Sequence, residues 1–384
     1  MERSEITDHL SRFRVEVPSW GFGASGTRFG TFHVPGEARD IHEKIEDAAT
    51  VARLTGGVSS LAIHIPWDRV DDFAALRQQV ESQGLRVGAV NPNLFGDQAF
   101  RFGSLSNVDR GVRQRAIDHC LECIDIMKQT GSKTLSLWLP DGSNYPGQSD
   151  MLRAFETLLE SLQHVVPSLP EDALLLLEYK FFEPAFYHTV LSDWGTALLA
   201  ASKLGPKAKV LVDLGHHPQG TNIEYIVDLV SAEGKLGGFH FNSRKYADDD
   251  LTVGSLNPYE LFLIFVELTR FFDLGQPEDP AASPQVSLVL DQSHNVKSKV
   301  KATIQSVVNL QKTFVKALLV NKEELESARQ RQDAIGAEEV LKQAFEADVN
   351  PYLLHMRSER GLAANPLEEF AKSGLEALAI SQRG

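Results

Sequence analysis

The stretch ALLLLEYKFFEPAFYHTVLSDWGTALLAASKLGPKAKVLVDLGHH, residues 173–217, contains two apolar runs separated by a segment with helical spacing. Each short apolar run, bounded by polar residues, is typical of a buried strand, and the apolar spacing between the two runs is typical of an amphipathic helix. Near-continuous apolar strands indicate a parallel sheet that is covered by helices. The stretch therefore predicts a strand, a helix and a second strand of such a sheet.

The same alternation runs through most of the chain. Six further strand candidates occur, each followed by a helical segment: FRVEVPSW (13–20), SLAIHIPW (60–67), LRVGAVNP (85–92), TLSLWLP (134–140), LGGFHFN (236–242) and VSLVLDQSH (286–294). Eight such units favour a closed barrel over an open sheet. We therefore predict a (β/α)8 TIM barrel over residues 1–320, with a short N-terminal segment. Residues 321–384 are predicted to form a charged helical extension that packs on the barrel or on a neighbouring subunit.

The composition limits the classes of function. The 384 residues include 52 acidic against 38 basic side chains, for a formal net charge of -14. Nucleic-acid and anionic-membrane binders need a basic face, so neither class is favoured. The N-terminus has no apolar signal region, LFLIFVEL (261–268) is too short to span a bilayer, and no Gly-rich dinucleotide loop follows a strand. We expect a cytoplasmic protein in which Cys120 and Cys123 are half-buried thiols on a helix.

Polar or aromatic residues follow nearly every predicted strand. In TIM barrels the active site is built at the carboxyl ends of the strands from several different units. These residues are therefore expected to form one ring at the mouth of the barrel: Trp20, His64, Asn91, Trp138, Glu178 with Lys180, Asp213 with His216, His240 with Asn242, and Asp291 with His294.

Acids and imidazoles within this ring predict two adjacent metal sites. A single strand-end acid or histidine is more often a structural residue than a ligand, but four such residues on successive strands are hard to attribute to chance. Three carboxylates and one imidazole make a mostly oxygen ligand shell that suits Mn²⁺, Mg²⁺ or Co²⁺. The first site is predicted at Glu178, Asp213, His240 and Asp291, and the second at His216, Asp248 and Asp250 with a share of Asp213.

Two divalent ions beside a lysine, a histidine and aromatic walls suit a small polyhydroxylated substrate. One ion would chelate substrate oxygens, and the other would polarise a carbonyl and activate a water. Lys180 would donate a hydrogen bond to the carbonyl oxygen as charge develops, and a hydride would then move between adjacent carbons without a nicotinamide. Trp20, Trp67 and Trp138 either fill the core or stack on the sugar, and the sequence leaves both roles open.

Several motifs resemble those of the L-rhamnose isomerases, which are sugar isomerases with a xylose-isomerase-like barrel. They are SWGFGASGTRFGTF, HIPWD, LEYKFFEPAFYHT, LVDLGHHPQGTNIE, GFHFNSRKYADDDLTVGSLNPYELF and LDQSHNVK. The resemblance implies the same two sets of metal ligands, with Asp213 bridging. It also implies Mn²⁺ as the usual ion, with Co²⁺, Mg²⁺ and Zn²⁺ as alternatives, and interconversion of L-rhamnose and L-rhamnulose within carbohydrate metabolism.

The resemblance also implies roles for individual residues. Lys180 matches a catalytic lysine, Asp291 an acid linked to the catalytic water, and His64 a histidine that helps to open the sugar ring. Phe29 matches a residue that enters the neighbouring subunit's site, which implies a homo-oligomer, commonly a tetramer. The substrate-binding residues would be His64, Trp20, Trp67, Trp138, Lys180, His216, Asp248 and Phe29.

Three other functions remain open from the sequence. A ketose 3-epimerase on the same barrel would need two opposed glutamates and one metal, whereas the last strand here ends in Asp291. A metal-dependent DNA-repair endonuclease also has a rim rich in His and Asp, but the net charge of -14 argues against it. A sugar-binding barrel without activity would leave two metal sites unexplained.

Overall fold

The computed structural model describes residues 2–27, 30–275 and 285–384. Eight parallel strands close into a barrel in the spatial order β1-β8-β7-β6-β5-β4-β3-β2, and β2 pairs with β1. The predicted fold is confirmed, and each strand lies within two residues of the predicted start. The strands are β1 Val15–Pro18, β2 Val58–Ile65, β3 Arg86–Pro92, β4 Thr134–Trp138, β5 Leu174–Glu178, β6 Ala208–Asp213, β7 Leu236–Phe241 and β8 Ser287–Leu290.

A helix follows each strand and covers the outside of the barrel. Side-chain caps begin several of these helices: Asp40 accepts hydrogen bonds from the backbone N–H groups of His42 and Glu43, as N-cap acids commonly do. One helix, α1 Arg3–Arg12, precedes the barrel. The barrel helices are α2 Ile41–Thr55, α3 Phe73–Ser82, α4 Arg110–Thr130, α5 Met151–Val165, α6 Trp194–Leu204, α7 Ile223–Ala232, α8 Pro258–Phe271 and α9 Lys299–Leu318. Within the described ranges, none of the helices has the length and apolar character that crossing a bilayer requires.

The C-terminal region is helical, as its periodicity predicts. Its helix α12 packs against α1, and α13 packs against α9 and α2. Buried Arg357 fixes part of this packing, since it donates to Gln311 Oε1 at 3.2 Å and to the Leu54 carbonyl at 3.4 Å. The division of the chain at residue 320 and a role between subunits stay predictions. The helices are α10 Lys322–Gln330, α11 Ala334–Glu346, α12 Asn350–Glu359, α13 Pro366–Ser373 and α14 Leu375–Arg383.

Strand register aligns the predicted site residues at one end of the barrel. Trp138 pairs with Glu178 between β4 and β5, and Asp213 pairs with His240 between β6 and β7. Asp291 follows β8 directly, and its backbone N–H donates to the Phe241 carbonyl at 2.8 Å. Because parallel strands end at the same edge of a sheet, this register gathers side chains that are far apart along the chain.

Candidate metal and sugar site

The first predicted ligand set converges at the carboxyl ends of β5 to β8. One donor atom each from Glu178, Asp213, His240 and Asp291 lies within 4.8 Å of the other three. His240 Nδ1 is 3.3 Å from Glu178 Oε1, 3.5 Å from Asp213 Oδ2 and 3.2 Å from Asp291 Oδ2. None of these contacts has hydrogen-bond alignment, so Nδ1 is buried without a hydrogen-bond partner among the described residues. A nitrogen that faces three carboxylates in this way is placed as a ligand would be.

A second group of donors adjoins the first and shares one member with it. Donor atoms of Asp213, His216 and Asp248 lie within 4.8 Å of one another. His216 Nε2 is 3.3 Å from Asp248 Oδ2, while His216 Nδ1 is 3.3 Å from Glu178 Oε1. Asp213 therefore has the position that a carboxylate bridging two ions requires.

Asp250, the remaining predicted ligand, lies beside this second group but is not one of its three mutually close donors. Its Oδ1 accepts a hydrogen bond from Asn242 Nδ2 at 3.3 Å, and its backbone has a positive φ of 48°. A positive φ in a non-glycine residue is uncommon and indicates a constrained turn. The ADDD loop thus directs Asp248 and Asp250 inward. Asp249 instead accepts from the backbone N–H of Tyr246, at 2.9 Å, within the turn.

Sequence reasoning noted Asn242 at a strand end but assigned it no role. Its Nδ2 donates to Asp213 Oδ1 at 3.1 Å and to Asp250 Oδ1 at 3.3 Å, and the side chain is buried. Asn242 therefore joins the shared acid to the acidic loop. The sequence could have indicated this role. Residues two apart on a strand point to the same face, and Asn242 lies two positions after the predicted ligand His240.

Throughout this site, burial and neighbouring charges shift the pKa values of the side chains in opposite directions. Burial alone would lower the pKa of His216, but Asp213 and Asp248 raise it to about 9. Burial likewise disfavours a charged His240, yet Glu178 and Asp291 raise its pKa well above the usual value. Burial raises the pKa of Asp213 despite the nearby charge of His216. The acids therefore need positive charge nearby, and two imidazolium groups supply it when no ion does.

The donor set fits divalent cations. Carboxylate oxygens and imidazole nitrogens suit Mn²⁺, Mg²⁺, Co²⁺ and Zn²⁺ better than ions that prefer thiolates. Within the part of the chain that the structure describes, Asp248 Oδ1 and His240 Nδ1 are buried without hydrogen-bond partners, one in each group. An unpartnered buried polar atom is costly unless something binds it, and an ion at each group would relieve this cost.

Lys180 lies at the edge of the second group. Its Nζ donates to Asp248 Oδ2 at 2.7 Å and to Glu183 Oε2 at 3.3 Å. Burial opposes its charge, but Asp248 and Glu183 raise the pKa of Lys180 above its usual value, so Lys180 is a cation. The same Nζ is 5.1 Å from the centre of the Trp138 ring. Lys180 is therefore a fixed donor between the acids and the aromatic wall.

Aromatic side chains line the other half of the mouth. Trp20 Nε1 donates to Asp291 Oδ1 at 2.8 Å, and the His64 ring stacks on Trp67 with 3.9 Å between ring centres. Phe95, which sequence reasoning did not single out, contacts Trp138 at 4.8 Å between ring centres. Trp20 and Trp138 are half-buried, whereas the Trp67 side chain is exposed. These rings form a wall beside the polar groups.

His64 is uncharged in this wall. Burial, aided by His119 and Lys44, lowers its pKa to about 3. Its backbone N–H donates to Asp68 Oδ2 at 2.8 Å, and Lys44 Nζ donates to the other Asp68 oxygen at 2.6 Å. A buried ion pair thus fixes the turn that carries His64 and Trp67. The imidazole Nδ1 has no partner within the described protein, so it is available to a ligand.

Several residues that the sequence offers as candidates, or that neighbour candidates, are not part of this site. Phe29 lies outside the described residues. His217 turns away from the acids, and Tyr179 Oη lies 2.6 Å from its Nε2. His294 Nδ1 is buried with no partner in the described ranges, and its Nε2 lies 3.5 Å from Thr252 Oγ1. Cys120 and Cys123 are buried free thiols in α4, more buried than expected.

Comparison with known proteins identifies the family. Residues 48–276 match the model of the family described as xylose isomerase-like TIM barrel. A "Probable sugar isomerase" of Rhizobium meliloti is 45% identical, with 97% of this chain and 87% of that protein covered. A protein of the same description from Mesorhizobium japonicum is 44% identical, with 98% and 88% covered.

Among solved structures, one of L-ribulose 3-epimerase covers 83% of this chain and 99% of its own chain, with a TM-score of 0.57 at 16% identity. That likeness concerns the fold. The sequence relatives confirm the superfamily part of the resemblance and are described only as sugar isomerases. Because the family model spans more than half of the chain and both relatives cover nearly all of it, this protein belongs to the xylose isomerase-like TIM-barrel family.

Proposed function

We propose that this protein is a metal-dependent aldose–ketose isomerase whose substrate is L-rhamnose and whose product is L-rhamnulose. The observation that carries the proposal is the pair of donor groups joined by Asp213, with the Lys180 ammonium at the edge of the second group. Relatives described as sugar isomerases support the reaction class. The motif resemblance to L-rhamnose isomerases supports the particular sugar, and other aldoses are expected as secondary substrates.

Glu178, Asp213, His240 and Asp291 would hold one ion, and His216, Asp248, Asp250 and the shared Asp213 would hold the other. Mn²⁺ is the proposed ion. When bound, such ions supply Lewis-acid polarisation of a carbonyl and acidification of a bound water. The buried, unpartnered Asp248 Oδ1 and His240 Nδ1 support both assignments.

The chain's own groups would position the sugar and manage charge. Lys180 would donate to the carbonyl oxygen as it gains negative charge, because its ammonium is already held at the edge of the site. Uncharged His64 would accept the proton of the anomeric hydroxyl at Nδ1 and pass it to the ring oxygen as the ring opens. Asp291, held by Trp20 at 2.8 Å, would accept a proton from a hydroxyl or water. The aromatic wall would exclude water and stack on the apolar face of the sugar.

We also propose that the protein is a cytoplasmic homotetramer in which the mouth of each barrel faces another subunit. Phe29 would enter the partner's site, as the motif resemblance implies. Exposed aromatic side chains in the loops at the mouth support a covered face, because such side chains are enriched at interfaces. They include Phe32, Trp67, Phe102, Tyr145 and Phe186.

Ketose 3-epimerisation is the second candidate, favoured by the fold it shares with L-ribulose 3-epimerase. Epimerisation at one carbon needs two opposed bases and a single ion. This site offers an ammonium at Lys180, an aspartate at the last strand and a second donor group. These features favour isomerisation.

The proposal is tested by identifying the reaction products of protein whose metal content is controlled. The protein is stripped with EDTA, restored with Mn²⁺, and incubated with L-rhamnose, other aldoses and several ketoses. We expect L-rhamnulose from L-rhamnose with the highest kcat/KM. A 3-epimer as the main product from a ketose would replace isomerisation with epimerisation, and the absence of either product would overturn both candidates.

A further inference from the structure

A second polar cavity lies at the opposite end of the barrel. It is an open cavity of about 490 Å³ beside the starts of the first three strands. Arg14 directly precedes β1, Val58 begins β2, and Gly84 shortly precedes β3. The candidate sugar site lies at the opposite, carboxyl ends of the barrel strands, so the barrel interior separates this cavity from the reacting groups.

The charged side chains that line this cavity, among the described residues, are all positive. Arg14, Arg53 and Arg360 line it, together with Ser59, Ser82, Gln83 and small or apolar residues, and no carboxylate of the described residues does so. The whole chain has a net charge of -14. Three guanidinium groups without a lining carboxylate make this cavity locally positive, which attracts anions.

Most guanidinium N–H groups at this place have no partner among the residues that the structure describes. Arg14 donates only through Nη1, to the carbonyls of Ser11 at 2.7 Å and Phe13 at 2.8 Å. Arg360 also donates only through Nη1, to the Gly56 carbonyl at 2.7 Å. A guanidinium has five N–H donors, so Nε and Nη2 of both residues remain available among the described contacts.

Helix capping explains only part of this arrangement. Arg360 caps the end of α2 at Gly56, and Arg14 contacts the carbonyl of Ser11 at the end of α1, as basic side chains commonly do. Capping does not require the two groups to be close. Burial, and then the charge of Arg360, lowers the pKa of Arg14 to about 10. The two cations therefore repel each other, and an anion between them would remove that cost.

We propose that this cavity binds a phosphoryl oxyanion, either inorganic phosphate or the phosphate group of a phosphate ester. Guanidinium groups match the oxygens of phosphate through paired N–H donors, which makes arginine a common phosphate ligand. The N-terminal face of a TIM barrel bears on stability rather than on chemistry. Occupancy is therefore expected to stabilise the fold and to leave turnover unchanged, so this site is independent of the proposed isomerase activity.

Inorganic phosphate is the probe for a direct test. Binding to the metal-loaded protein is measured by calorimetric titration, and thermal unfolding is followed in phosphate against chloride at equal ionic strength. We expect phosphate to raise Tm, because a ligand that binds only the native state stabilises it. Arg14→Gln and Arg53→Gln are each expected to weaken binding by roughly tenfold, the loss typical of one charge-assisted hydrogen bond.

Arg53→Gln keeps the test valid if Arg14→Gln folds poorly, since the Arg53 side chain makes a single hydrogen bond to the described residues, to Thr50 Oγ1 at 3.5 Å. Arg331→Gln is the matched control, an exposed arginine that pairs with Asp333 away from the cavity. Equal phosphate binding in wild type, Arg53→Gln and Arg331→Gln would assign the anion to ions at the barrel mouth and overturn the proposal. No phosphate binding to the wild type would overturn it as well.

Discussion

Lys180 Nζ lies 2.7 Å from Asp248 Oδ2, although the two residues are 68 positions apart in the chain. The contact joins the end of β5 to the loop after β7. It places a fixed ammonium directly beside one of the proposed ligands. In the proposed mechanism the acids hold the ions and Lys180 faces the substrate, and both roles depend on this contact.

Replacing Lys180 with methionine separates chemistry from metal binding. Methionine keeps much of the length of the side chain but cannot donate to a developing oxyanion. We expect kcat to fall by about 10²–10³, as for the loss of an oxyanion donor, while both ions stay bound. Steady-state kinetics and metal analysis of the same preparation measure this. Equal losses of metal and activity would indicate a structural lysine.

Glu178→Gln and Asp291→Asn remove negative charge from the first donor group. Each variant is expected to abolish turnover and to weaken retention of one ion, because an amide is a poorer ligand for a divalent cation than a carboxylate. Metal content after dialysis and activity in metal-controlled buffer measure the effect. Asp249→Asn is the matched control in the acidic loop, since Asp249 only accepts backbone N–H bonds within the turn. Wild-type activity in either ligand variant would contradict the assignment.

Asn242→Ala is expected to loosen the second ion more than the first. The amide links Asp213 to Asp250, so its loss frees the acidic loop while Glu178 and His240 stay in place. Mn²⁺ titration followed by electron paramagnetic resonance should show one tight and one weakened site. Partner residues around a ligand typically change metal affinity by about 10–100-fold. Equal weakening of both sites would show that Asn242 supports the barrel end as a whole.

Ion binding should release protons at neutral pH. The pKa of His216 is raised to about 9 without metal, so its imidazole is protonated at pH 7, whereas a ligating imidazole must be neutral. Affinity at the second site is therefore expected to rise with pH up to about 9 and to level off above it. Calorimetry in buffers of different ionisation enthalpy measures the protons released. An affinity independent of pH between 6 and 9 would refute the imidazolium.

Exposed Trp67 tests the aromatic wall. Its ring stacks on His64 but is largely open to solvent, so Trp67→Ala should leave the fold intact. We expect KM for the sugar to rise by roughly tenfold with a smaller change in kcat, because stacking contributes to binding more than to chemistry. A subunit contact at Trp67 would instead appear as a change in oligomeric state by light scattering.

Local pattern was enough to predict the barrel. Each of the eight apolar runs is short, bounded by turn residues and followed by helical spacing, and these signals depend on near neighbours in the chain. The convergence of Glu178, Asp213, His240 and Asp291 followed from the same pattern, because parallel strands end together. Asn242 and Phe95 were not assigned roles, since a single amide or a loop phenylalanine gives no pattern by itself.

The amino-acid sequence alone thus determined the fold class, the strand ends and the residue types at the mouth, because periodicity and composition are local properties. Only the tertiary structure decided that Lys180 pairs with Asp248, that Asn242 joins Asp213 to Asp250, and that Asp250 lies outside the tight group of donors. It alone also brought Arg14 near Arg360 across 346 positions of the chain. These relationships depend on loop conformation and on the packing of helices that are distant in the chain. Their free energies are sums over many tertiary contacts, and the pattern of neighbouring residues in the sequence does not contain those contacts.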